Sequence, residues 1–122
     1  GGVFIKARGD AATLRDWYAR HLGIAIEPWG GHPFSWAGPD NPGGVGTTVW
    51  CIFDADSDYC GAAPGACMVN YRVADLDALL ATLRAEGCAV DARVEASELG
   101  RFGWVTDPEG NRIELWQPPA GS

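Results

Sequence analysis

The chain of 122 residues carries a formal net charge of −7, with 47% hydrophobic and 20% charged residues. That balance describes one globular domain, or two small halves sharing a core, rather than a disordered chain. An acidic chain repels phosphate backbones, and no apolar run approaches the roughly 18 residues of a membrane helix, so neither nucleic acid nor a bilayer is an expected partner.

Residues 3–8 read as a strand, and Asp10 stands as an N-cap before an amphipathic helix. Leu14, Trp17, Tyr18 and Leu22 form the apolar stripe of that helix, and Gly23 closes it. Strands are expected at Ile24–Trp29, Pro33–Ala37 and Gly46–Phe53, with the Gly- and Pro-rich run from Gly38 as a loop. Residues 54–66 carry no period and read as a linker. Asp54, Asp56 and Asp58 alternate as in a calcium loop, but the glycine and terminal glutamate of such a loop are missing, so a solvated acidic loop is expected.

The pattern then restarts. Cys67–Val73 reads as a strand, Asp75 as an N-cap, and Leu76, Leu79, Leu80 and Leu83 as the stripe of a second helix ending at Gly87. Ala89–Val94 is a strand, followed by a hairpin from Gly100 to Gln117 that turns at Asp107-Pro-Glu-Gly-Asn111. Within it, Phe102, Trp104 and Thr106 share one parity, as do Arg112, Glu114 and Trp116. Glu114 is thus a mid-strand carboxylate between two apolar neighbours. Asp10, Gly23, Gly46 and Trp50 recur about 64 residues later as Asp75, Gly87, Gly110 and Glu114, which argues for two duplicated modules.

Six Trp residues suit a core or an interface, and several on one sheet face would suit a pocket. The four cysteines form no CxxC pair, and no signal-peptide pattern opens the chain. Free thiols in a reducing cytoplasm are therefore expected.

The duplicated organisation and the Phe102-Gly-Trp-Val-Thr-Asp-Pro-Glu-Gly-Asn-Arg-Ile-Glu-Leu-Trp116 hairpin resemble the vicinal oxygen chelate superfamily of glyoxalases, bleomycin-resistance proteins and extradiol dioxygenases. The resemblance covers nearly the whole chain. It implies an α+β domain over residues 1–122, built of two tandem βαβββ modules (about 1–53 and 67–117) whose curved sheets enclose a cleft.

Metal-dependent members take four ligands from the first and last strands of their modules. Carried onto this sequence, those positions are Val3, Trp50, Met68 and Glu114, and only Glu114 suits a divalent ion. His21, in the last turn of the first helix, reads as a surface residue, and His32, beside a Gly-Gly turn, is within reach of the cleft edge but is not expected to be a ligand. No cofactor is therefore expected. The resemblance points to a cytoplasmic, metal-free small-molecule binder, with Trp50, Met68, Asn70, Arg72, Trp104, Arg112 and Trp116 lining the site around Glu114. Such a cleft suits a flat or partly apolar ligand with a cationic or hydrogen-bonding handle. The alternative is an enzyme using Glu114 as metal ligand or general base, since desolvation among Trp and Met would strengthen the base. A homodimer is expected by the same resemblance.

Overall fold

The computed structural model describes residues 1–62 and 66–121. The first unit, Gly1–Cys67, contains β1 (Gly2–Lys6), α1 (Ala11–Leu22), β2 (Gly31–Ser35) and β3 (Thr47–Phe53). The second, Met68–Ser122, takes β4 (Cys67–Arg72), whose first residue closes the first unit, then α2 (Leu76–Ala85), β5 (Ala89–Ser97), β6 (Gly100–Thr106) and β7 (Arg112–Gln117). The chain is α+β.

Both helices begin at the expected caps. The Asp10 carboxylate accepts from Ala12 N at 3.2 Å and Thr13 Oγ1 at 2.6 Å, and the Asp75 side chain accepts from Ala78 N at 3.1 Å. Gly23 ends α1 with φ 69°, the left-handed geometry that a Cβ disfavours. A second device serves α2: Gln117 Oε1 accepts the otherwise unpaired Leu76 N–H at 2.8 Å, tying β7 to the helix start.

In the first unit β1 pairs with β3 in parallel, and β2 with β3 antiparallel. The strand expected at Ile24–Trp29 is absent. A tight turn replaces it: Gly30 N donates to Glu27 O at 2.9 Å, Glu27 N donates to Gly31 O at 2.8 Å, and Pro28 has no N–H to give a ladder. Among its described residues this unit is therefore βαββ rather than βαβββ. Ala7, Ala11 and Ile52 are buried between sheet and helix, with Ile5, Leu14, Tyr18 and Trp50 packed around them. The stripe of α1 is only half used, since Trp17 and Leu22 remain exposed.

Residues 54–66 contain no helix or strand among those described, as expected; residues 63–65 of the expected linker lie outside them. The segment nevertheless folds back on β1 and β3. Tyr59 stacks on Phe53 at 5.0 Å, Cys60 is buried, and Lys6 Nζ donates to the carbonyl oxygen of Gly61 at 3.1 Å.

The second unit keeps the full βαβββ order. Its sheet runs β4-β7-β6-β5, with β4 parallel to β7 and the others antiparallel. Leu76, Leu80 and Leu115 form the core between this sheet and α2, joined by Val105 and Ile113. Gly103 lets the helix approach, since a Cβ there would lie 3.0 Å from Leu80 Cδ1.

Candidate functional site

Period-two alternation sends Leu115 and Ile113 toward α2, so Glu114 points to the opposite face of the second unit's sheet. The register then decides its neighbours: Asn70 of β4 and Trp104 of β6 both lie directly opposite Glu114. Asn70 Nδ2 donates to Glu114 Oε1 at 2.7 Å, and Trp104 Nε1 donates to Oε2 at 2.9 Å. Glu114 is 1% exposed, Trp104 and Met68 are fully buried, and Asn70 is 6% exposed. A buried carboxylate is tolerable only when hydrogen-bonded, and each oxygen here has a donor.

An ionised carboxylate can only accept, so Asn70 must turn its amide nitrogen toward Glu114. Its Oδ1 then faces away and, buried, has no hydrogen-bond partner among the described residues.

Arginines cover the aromatic part of this face. The guanidinium carbons of Arg93 and Arg112 lie 4.8 and 5.1 Å from the Trp104 ring centroid, within cation–π range. Arg112 is anchored by Asp91 at 2.8 Å, and Arg93 lies 3.5 Å from Glu95. Toward the other end, Trp116 stacks on Phe102 with ring centroids 6.4 Å apart, and Arg72 lies 5.9 Å from the Trp116 ring. Trp116 Nε1 donates to Leu99 O at 2.7 Å, which fixes its ring. Seven of the expected site residues therefore share one face: Met68, Asn70, Arg72, Trp104, Arg112, Glu114 and Trp116.

Trp50 does not belong to the corresponding face of its own unit. It packs on Tyr18 of α1 with ring centroids 5.1 Å apart, on the helix side of the sheet. Val3 pairs with Trp50 and shares that side, while Phe4, Cys51 and Phe53 take the opposite one. The cause lies in β1. Ala7, three residues before the Asp10 cap, faces α1, whereas Val73, two residues before the Asp75 cap, faces α2. Matched cap to cap, β1 is one residue out of step with β4, which turns Val3, and Trp50 paired with it, to the helix side.

The metal expected of some relatives finds no fitting donor set. Val3 and Trp50 offer no ligand atom and are turned toward α1, Met68 offers a soft thioether, and both Glu114 oxygens already accept hydrogen bonds. No three His, Cys, Asp or Glu side chains among the described residues gather closely enough to hold an ion. His32 instead engages Ala25 O through Nδ1 at 2.8 Å, and His21 lies against Trp17.

Asp91 and Arg93 escaped the sequence reading. The alternation of Asp91, Arg93 and Glu95 along β5 was the available signal, because three charges at period two mark a single face.

Residues 2–116 match the family model described as the glyoxalase-like domain. Curated protein sequences give no match. Among solved structures, methylmalonyl-CoA epimerase from Mycobacterium tuberculosis aligns with a TM-score of 0.57 at 24% identity, over 97% of this chain and 86% of that one. A Streptomyces coelicolor methylmalonyl-CoA epimerase in complex with 2-nitronate-propionyl-CoA gives 0.64 at 19% identity, over 98% and 96%. A structure described as an NAD-dependent benzaldehyde dehydrogenase from Legionella pneumophila gives 0.61 at 10%, over 97% and 98%. At these identities the likeness is one of fold.

Proposed function

The chain belongs to the glyoxalase-like domain family, and we propose that it binds a small organic molecule, without a metal, on the face of the second unit that carries Glu114. The observation that carries this reading is the unpartnered Oδ1 of Asn70, held in place by Glu114. A buried acceptor without a donor costs about 1–3 kcal/mol, which a ligand N–H or O–H would recover. Trp104 and Met68, both fully buried, pack beneath this face, and Phe102, Trp116 and Arg72 form an aromatic rim. A flat, partly apolar molecule with a hydrogen-bond donor fits that chemistry, as in a bleomycin-resistance-type sequestering protein.

Calorimetric titration with metal-free bleomycin and with small aromatic amides tests the reading. Binding by chelator-treated protein that weakens on the order of tenfold in Asn70→Leu is expected. Stoichiometric Ni, Zn, Fe or Mn in protein purified without chelator would sink the metal-free part.

A second reading is favoured by the burial of Glu114, a carboxylate shielded from water and aligned by two donors. It would act as a general base on an acidic C–H. Methylmalonyl-CoA, the substrate in the names of several fold neighbours, is the first compound to assay. Turnover that disappears in Glu114→Gln supports the enzyme; binding without turnover leaves the sequestering protein.

We also propose a cytoplasmic homodimer. Two of the four cysteines, Cys67 and Cys88, are exposed, which suits a reducing compartment. Exposed Trp29, Phe34, Trp36 and Val45 in the first unit offer apolar surface for a second copy.

A further inference from the structure

A groove of about 680 Å³ runs in the first unit between the end of β1 and the opening turns of α1, and it shares no residue with the Glu114 face. Its volume lies in the range of small-molecule sites, roughly 300–1,000 Å³. The floor is low because small residues stand there: Ala7 is buried against Ile52, and Gly9 carries no side chain. One wall is aromatic. Trp17 is 50% exposed although it lies on the apolar stripe of α1. It meets Tyr18 edge-on at 5.1 Å, and Tyr18 in turn meets Trp50 edge-on at 5.1 Å, so the wall is braced by the core behind it. A braced aromatic pair loses little side-chain freedom when a second ring is laid on it.

The charges at the groove are unequal in availability. Asp10 already accepts from Thr13 Oγ1 and Ala12 N, which hold its carboxyl below the usual range and fix it in place as the cap of α1. Arg8 lines the same groove, is exposed, and has no ion-pair partner among the described residues. A planar fork of donors beside an aromatic wall matches a carboxylate carried on a ring.

We propose that this groove is a second binding site, for a small planar aromatic carboxylate whose ring lies on Trp17 and Tyr18 and whose anion is held by Arg8. The site does not depend on Glu114, so it stands or falls separately from the reading above.

Backbone amide NMR titration of the intact chain with benzoate, benzamide and benzylamine tests it. Benzoate is expected to shift resonances of residues 5–18, and its affinity to fall on the order of tenfold in Arg8→Gln, an exposed change that leaves the core untouched. Benzamide is expected to bind as weakly to the wild type as benzoate does to that variant. Equal binding of benzoate and benzamide, or a preference for benzylamine, would overturn the assignment. So would benzoate shifts on β6 and β7 with none in residues 5–18. Concentration-dependent broadening of residues 5–18 without ligand would also overturn it, by giving the groove to a second copy of the chain.

Discussion

Glu114 draws one donor from each neighbouring strand, Asn70 on β4 and Trp104 on β6. In Glu114→Gln the new Nε2 faces Asn70, whose amide must turn over to accept from it. That leaves Asn70 Nδ2 as a buried donor without an acceptor and removes two charge-assisted bonds. Stability is expected to fall by about 1–3 kcal/mol, measured by urea unfolding. Asn70→Asp separates charge from shape. It places a second carboxylate where Nδ2 now lies 2.7 Å from Oε1, so the variant is expected to be strongly destabilised at neutral pH and to recover toward wild type in mild acid, where one proton can be shared. A variant with a flat stability profile from pH 7 to pH 4 would contradict that geometry. Alternation grouped Trp104 with Phe102 and Thr106, and Glu114 with Arg112 and Trp116, while the family resemblance supplied the step that joined these strands and Asn70 into one site. Neither could show that both carboxylate oxygens are taken, since that depends on which residues stand directly opposite.

At the scale of elements, close packing and the hairpin turn each carry a test. β6 can lie against α2 because Gly103 has no side chain, and a Cβ there would sit 3.0 and 3.3 Å from the two Leu80 methyls and 3.4 Å from Leu76 Cδ1. Gly103→Val adds two further carbons to that contact and is expected to cost about 1–3 kcal/mol by overpacking, read from the same unfolding curves. The β6–β7 turn is organised by Asp107, whose carboxylate accepts from the Asn111 side chain, Asn111 N and Glu109 N, each at 2.9 Å. These bonds, led by that from the Asn111 side chain, hold the Asp107 carboxyl below the usual carboxylate range. A lowered folded-state pKa stabilises above the unfolded value and stops stabilising as pH falls through the folded one. Asp107→Ala is therefore expected to melt below wild type at pH 7, with the gap closing under acid below the unfolded carboxylate value. Caps and turns like these were legible because they are local chemistry. The face of β1 and β3 was not. Ala7 faces its helix three residues before the cap and Val73 two before its own, so laying cap on cap leaves β1 one residue out of step with β4. That single residue turns Val3, and Trp50 paired with it, toward α1 and away from the face the resemblance implies.

Across the whole chain, the distribution of tryptophan sets up the assembly prediction. The second unit spends its two, Trp104 and Trp116, on the Glu114 face, one of them fully buried. The first unit leaves Trp17, Trp29 and Trp36 half exposed or more. Trp36 is not loosely placed. Its Nε1 donates to Thr48 Oγ1 at 2.9 Å, and its ring lies over Gly46, where a Cβ would stand 2.0 Å from the ring edge. Its backbone N–H also donates to Gly46 O at 3.0 Å, next to exposed Val45. A rigid, exposed aromatic beside an exposed valine, at the end of β2, is costly in water and useful at an interface core. Light scattering is expected to give twice the 12.9 kDa chain mass at micromolar concentration. Trp36→Asp should return the mass to that of one chain. Like charges facing each other across a two-fold axis repel, and a desolvated carboxylate at an interface core has no partner. Trp17→Asp, in the groove of the same unit, should leave the mass at twice the chain value, because the proposed dimer surface does not include it. Loss of the dimer in Trp17→Asp but not in Trp36→Asp would move the interface to the groove and leave the β2 aromatics without a partner.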